Sequence, residues 1–333
     1  MGLMETIYER AKAQPMRVAF PEGQDETMMQ AAAEAAAYGI AIPVLVGDEG
    51  ELRELAVERG LDPLAFEYSD TYSGEEDDDL VARYLELPVC QFKEKGVRRR
   101  LGRPLERALI LQALGEVDIT FAGRVATTGE VIAAGQTLVG LAEGIDTVSS
   151  MGIFDIPGYR GPEGNLLGFG DSAVCTNPNA EQLASIAISC CDTVAALCGW
   201  EPRCALLSYS TCGSSTSELT EKVVAARDIA NERRPDLAID GEFQLDAAIN
   251  PAVAERTVRR ESAVAGRANV IVWPDLNVGN VGVKLVQQFA HADAYGPMLQ
   301  GFAKIVCDCS RGAGITEILG NIAISCVRAQ ALE

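Results

Sequence analysis

Short apolar runs recur along this chain, and most are followed by a turn rich in glycine or proline and then by a stretch with helical periodicity. Met16–Phe20 ends in Pro21-Glu22-Gly23 and gives way to an alanine- and methionine-rich helix, Glu26–Tyr38, closed by Gly39. Ile40–Val46 ends in Gly47-Asp48 and gives way to Glu51–Arg59, stopped by Gly60. Strands joined through helices are expected to run in the same direction, because a parallel pair needs a long crossover that a hairpin cannot supply. The pattern returns at Val117–Ala122, Asp146–Phe154, Arg203–Tyr209, Leu237–Glu242, Ala268–Trp273 and Phe302–Val306. With 333 residues the chain exceeds one ordinary core,. The expectation is an α/β protein of two domains, built on mostly parallel, doubly wound sheets. Ser69–Asp79 reads as a solvated acidic loop or helix start, and the glycine- and proline-rich Ile156–Phe169 as an irregular crossing between domains. Residues 274–282 read as a loop, with a helix beginning at Lys284.

Charge and cysteine usage narrow the function classes. A formal net charge of −20 disfavours nucleic acid and anionic membranes as partners,. No apolar run is seen to reach the roughly 20 residues of a membrane helix, and Met1–Gln14 does not resemble a signal peptide, so a cytoplasmic location is expected,. The ten cysteines show no paired Cys-x-x-Cys spacing and are read as buried thiols, with no metal site,. The single histidine, His291, lies in Ala-His-Ala-Asp, so a Ser-His-Asp mechanism is disfavoured and a carboxylate is the expected general base,.

Polar, glycine-containing segments recur after apolar strands, where open α/β sheets place their ligands. In Cys307–Glu317, Ser310 and Arg311 stand before Gly312 and Gly314, with Glu317 as the carboxylate that follows. Such a turn at a helix start suits a phosphate, while by itself the segment reads first as a plain strand–turn–helix connection with a surface ion pair. Thr127, Thr128 and Gly129 start another helix and either cap it or bind phosphate,. Thr211, Gly213 and Ser214 belong to a hydroxyl-rich turn. The densest basic run, Lys93, Lys95, Arg98, Arg99, Arg100 and Arg103, is either a solvated face or the seat of a ligand with several phosphates,.

Taken together, these pieces resemble the phosphotransacetylase (phosphate acetyl/butyryltransferase) family over essentially the whole chain. The resemblance is carried by Pro21-Glu22-Gly23, Asn177–Glu181, Leu207–Ser214, Asp240–Ala248, Gly266–Leu276, Gly279–Gln287, Gly296–Gly301 and Ser310-Arg311-Gly312, in that order. It implies a fold akin to the isocitrate and isopropylmalate dehydrogenases, with a cleft between two domains. Residues 1–148 with 296–333 would form the first domain and 149–295 the second. It also implies a homodimer and no permanently bound cofactor. The implied substrates are coenzyme A or acyl-CoA, phosphate and acyl phosphate, with acetyl as the default acyl group. In the implied reaction a carboxylate deprotonates the CoA thiol, and an arginine and a serine hold the phosphate and the developing oxyanion. Those roles fall to Glu317, Arg311 and Ser310; Lys93, Lys95, Arg98, Arg99, Arg100, Asn280 and Lys284 would hold CoA. The chain departs from the family pattern at Glu317, where aspartate is usual, and at Ala313, where cysteine is usual. Arginines of the pattern are replaced at Phe92, Ala133 and Gln288. Two further expectations therefore stand beside the acyltransferase: a catalytically altered homologue that binds an acyl or CoA-like ligand for regulation, and an acyltransferase with a different thiol.

Overall fold

The structure is a computed structural model that describes residues 2–71 and 74–332, without the side chains of residues 75 and 76. Two compact units divide the chain: Met1–Gly140 with Phe302–Glu333, and Leu141–Gly301. Among the described residues the first unit opens with α1 (Leu3–Ala13), β1 (Met16–Phe20), α2 (Glu26–Ala37), β2 (Ala41–Gly47), α3 (Glu49–Glu58) and β3 (Glu67–Asp70). It continues through α4 (Gly74–Leu85), α5 (Glu94–Leu101), α6 (Pro104–Leu114), β4 (Ile119–Ala122) and α7 (Thr128–Leu138). Local chemistry sets these bounds. Asp25 and Asp48 cap α2 and α3 by accepting the N–H groups of Met28 and Glu51 at 2.8 and 2.9 Å,. Gly39 and Gly60 follow those helices with positive φ, the left-handed turn that ends a helix,. The acidic 69–79 segment is the end of β3 and the start of α4, apart from residues 72 and 73, which lie outside the described residues.

The second unit holds β5 (Ser149–Asp155), β6 (Leu166–Gly170), α8 (Ala180–Cys198), β7 (Arg203–Leu207), α9 (Glu218–Arg233) and β8 (Ala238–Phe243). Then come α10 (Leu245–Ile249), α11 (Pro251–Thr257), β9 (Val270–Val272), α12 (Leu276–Ala290) and β10 (Asp293–Gln300). Its sheet runs β10-β5-β6-β9-β7-β8, parallel from β6 to β8 and antiparallel at the β10 and β5 end. Helix α8 is long and apolar enough to pass as a membrane span, yet 67% of that window is buried inside the unit. The core stacks Phe169 on Trp273 with centroids 5.2 Å apart, and sets Phe154 edge-on to Phe169 at 5.0 Å,.

Two expectations for this unit change. Ile156–Phe169 is not a crossing between units: it lies wholly within the second unit, and its end is strand β6. Residues 276–282 are helix, not loop. Asp275 caps them by accepting the Val278 N–H at 3.1 Å. The glycines that suggested a loop are demanded by packing, since a Cβ at Gly279 or Gly282 would stand 2.9 or 3.0 Å from the Trp273 ring.

The chain returns to the first unit for β11 (Ile305–Asp308) and α13 (Ile315–Gln330). The first sheet is then fully parallel, in the order β11-β4-β1-β2-β3. Helix α13 buries Ile318, Leu319, Ile322 and Val327, and each such side chain stabilises by roughly 1.5–3 kcal/mol,. The C-terminal ends of β1, β4 and β11 thus lie side by side, with the polar segments that follow them.

Candidate active site

Two backbone devices join these three strand ends. Glu22, just past β1, is buried and accepts the N–H groups of Arg124 (2.7 Å) and Ala126 (2.8 Å). Gly123, just past β4, has φ +115°; a Cβ there would stand 2.3 Å from Asp308 Oδ1 and 2.4 Å from the Cys309 carbonyl oxygen. Only glycine allows that approach. Thr127 caps α7 reciprocally with Glu130: the Glu130 N–H donates to Thr127 Oγ1 (3.2 Å), and the Thr127 N–H donates to Glu130 Oε2 (2.7 Å),. The Thr127 hydroxyl also donates to Glu130 Oε2 (2.8 Å), and the Thr128 hydroxyl donates to Asp308 Oδ2 (2.5 Å). Burial pushes the Asp308 carboxyl up against the pull of that hydrogen bond,. Its Oδ1 is buried with no hydrogen-bond partner among the described residues.

Ser310, Arg311 and Gly312 form an exposed turn between β11 and α13. The Ala313 N–H donates to the Ser310 carbonyl (2.9 Å) and the Gly312 N–H to Ser310 Oγ (3.3 Å). Gly314 is the N-cap of α13 and no side chain caps the helix, so its first N–H groups and its positive dipole end are not taken up by a capping side chain,. Glu317 stands exposed in the first turn of α13. The Arg311 guanidinium is exposed and close enough to Glu130 to help lower that carboxyl's pKa, after the Thr127 N–H and hydroxyl. A guanidinium, a hydroxyl, an uncapped helix start and a carboxylate therefore share one short stretch. Groups of these kinds are the ones able to hold an anion and to accept a proton.

The basic run is helix α5, and its cations face different ways. Lys93, Lys95 and Arg99 are exposed. Arg98 pairs with Glu94 at 2.8 Å and Asp78 at 2.6 Å. Arg100 instead lies with its guanidinium 3.6 Å from the centroid of the Phe92 ring,. With Arg103 it borders a cavity of about 700 Å³ whose facing wall is one side of α7, with Ala133, Ala134, Thr137 and Leu138. Glu22, Ala126 and Glu130 also border it, so the cavity adjoins the junction of β4 and α7. In the sequence Arg103 is one member of the basic run. Its signal was the position at the junction of α5 and α6, off the face that Glu94 and Arg98 share.

Thr211, Gly213, Ser214, Asn280 and Lys284 belong to the second unit. There the Gly213 N–H and the Ser210 hydroxyl both donate to Glu242 Oε1 at 2.8 Å, and Glu242 is buried. The Thr211 N–H donates to Ser214 Oγ (3.1 Å), and Thr211 Oγ1 accepts the Gln244 N–H (2.9 Å). Asn280 donates to the Ser172 carbonyl at 3.2 Å, and Lys284 is exposed.

Residues 2–326 match a family described as phosphate acetyl/butaryl transferase. A phosphate acetyltransferase of Clostridium acetobutylicum is 41% identical over 335 aligned residues, covering 99% of each chain. One of Acetivibrio thermocellus is 38% identical, covering 99% of each. Among solved structures, a phosphotransacetylase from Streptococcus pyogenes superposes with a TM-score of 0.89 at 30% identity, covering 98% of each chain.

Proposed function

Because the chain belongs to the phosphate acetyl/butaryl transferase family, we propose that it moves an acyl group between coenzyme A and inorganic phosphate: acyl-CoA + Pi ⇌ acyl phosphate + CoA, with acetyl the default. The observation that carries this reading is the Ser310–Glu317 stretch, where an exposed arginine and serine and an uncapped helix start share one short segment with an exposed carboxylate. Arg311 grips the phosphate of the acyl phosphate, and Ser310 donates to the oxygen on which charge builds. Glu317 takes the thiol proton, since a thiol is mostly protonated near neutral pH. The sulfur forms a bond to the acyl carbon, the carbon–oxygen bond to phosphate breaks, and phosphate leaves with its electron pair. Thr128 and Gly129, at the start of α7, add backbone N–H groups to the phosphate end. The cavity beside α7 takes the arm of the thiol substrate: its wall is largely apolar, while Arg100 and Arg103 meet the phosphates. Lys93, Lys95 and Arg99 add charge near that end.

The test is thioester formation from acetyl phosphate and CoA, followed by ultraviolet absorbance of the thioester. Arg311→Ala is expected to lower kcat/KM on the order of 10²–10³-fold, and Glu317→Gln on the order of 10²-fold. A wild type as inert as both variants with acetyl, propionyl and butyryl phosphates would refute the reading. The assembly proposed is a homodimer. It is supported by Val278, Val281, Leu285 and Phe289, which are exposed along one face of α12,. A single-chain molar mass in light scattering at micromolar protein would refute that assembly.

A further inference from the structure

Arg124 follows Gly123 at the end of β4, and all five of its guanidinium N–H groups are committed. Nε donates to Asp25 Oδ1 (3.1 Å), and Nη2 donates to Asp25 Oδ2 (3.2 Å) and Thr27 Oγ1 (3.3 Å). Nη1 donates to the carbonyl oxygens of Arg311 and Ala313, the latter at 3.2 Å. The anchor is firm, because Asp25 is also the N-cap of α2. One side chain therefore ties the turn after β11 to the helix after β1.

What these bonds do to the turn follows from peptide geometry. In a trans peptide the carbonyl and the following N–H point in opposite directions. Drawing the Arg311 carbonyl onto Arg124 turns the Gly312 N–H away from it, onto Ser310 Oγ. Ser310 Oγ accepts there, so its own hydrogen is left for another acceptor. Drawing in the Ala313 carbonyl likewise turns the Gly314 N–H away, at the uncapped start of α13. Both carbonyl oxygens, which would repel an anion, are thus held away from the Gly314 N–H at the start of α13,. The Asp25 carboxylate offsets the charge of Arg124, so Arg311 remains the cation that an anion meets.

We infer that Arg124 is a positioning residue for the Ser310–Gly314 turn, acting through the carbonyls of Arg311 and Ala313 and touching no substrate. This rests on the acyl-transfer reading above. A lysine has one nitrogen and cannot span Asp25 and both carbonyls, so the guanidinium itself is required.

Steady-state kinetics of Arg124→Ala and Arg124→Lys test this, with acetyl phosphate and CoA varied separately. Arg124→Ala is expected to lower kcat on the order of 10²-fold, the scale of a roughly 1 Å misplacement of reacting groups. The acetyl phosphate KM should rise while the CoA KM stays within about twofold, and Arg124→Lys should fall between alanine and wild type. Guanidinium ion at tens of millimolar should restore part of the alanine variant's rate, and ammonium should not. Wild-type kinetics in a folded Arg124→Ala protein would overturn the inference. So would a rate loss that follows the folded fraction with both KM values unchanged, or failure of both variants to fold. If the wild type turns nothing over but binds inorganic phosphate in calorimetry, the acyl-transfer reading fails separately. The inference then stands if Arg124→Ala weakens phosphate binding about tenfold or more, and falls if it does not. A wild type that neither reacts nor binds phosphate overturns both.

Discussion

Two hydroxyl-bearing turns, one in each unit, are held in opposite ways. The Ser310–Ala313 turn is held by a cation, Arg124, which takes up the carbonyl oxygens of Arg311 and Ala313 and none of its donors. The Ser210–Ser215 turn is held by an anion, buried Glu242, which takes up a hydroxyl and an N–H. Composition alone makes both look like phosphate loops. The sign of the group beneath a turn decides which of its backbone atoms remain for a ligand. A turn fixed through its carbonyls is prepared for anions, whereas one fixed through its donors has already given part of that capacity to the fold.

The largest expected effect that tests this contrast is in the second unit. Glu242→Ala leaves the Ser210 hydroxyl and the Gly213 N–H without their acceptor, and should cost about 3 kcal/mol of stability in urea unfolding. Loss of activity without loss of stability would mean that Glu242 serves the reaction and not the turn, which breaks the contrast. A smaller effect is expected at the anchor of the first turn. Asp25→Asn keeps the helix cap but removes the charge opposite Arg124, and should cost about 2 kcal/mol at pH 7. Burial would raise the Asp25 carboxyl, but the Arg124 hydrogen bond and the Met28 N–H outweigh it, so its folded pKa lies below the ordinary value. A depressed acid stabilises the fold fully above its unfolded pKa, near 4, and loses that stabilisation as pH falls through the folded value. The gap between wild type and Asp25→Asn should therefore close on acidification from about pH 5 to pH 3. A gap that stays constant over that interval would show that the charge of Asp25 is not what matters.

The alternating strands and helices are legible in the sequence because their periodicities are local. Asp25 and Gly39 mark the two ends of α2 by residue type alone. Expectation fails where glycine answers to a distant neighbour instead of to its own turn. Gly279 and Gly282 look like loop residues until Trp273 is placed beneath them. Ser310 and Arg311 can be singled out because their chemistry lies within one stretch. Arg124 cannot, since its partners are Asp25 on one side and Arg311 and Ala313 on the other, far apart in sequence. Arg100 and Arg98 are near neighbours with opposite fates, and only the positions of Phe92 and Asp78 separate them.

The first unit is discontinuous, with β11 and α13 arriving after the whole second unit, and this has a consequence for biosynthesis. Until residues 302–333 emerge from the ribosome, β4 is an open edge of the first sheet, and the carbonyls that Arg124 holds do not yet exist. At about 5–20 residues per second, synthesis of the intervening residues 141–301 lasts roughly 8–30 s,. For that interval the nascent chain carries a strand edge able to pair with another chain, and it gains the Ser310–Gly314 turn only when residues 302–333 are made.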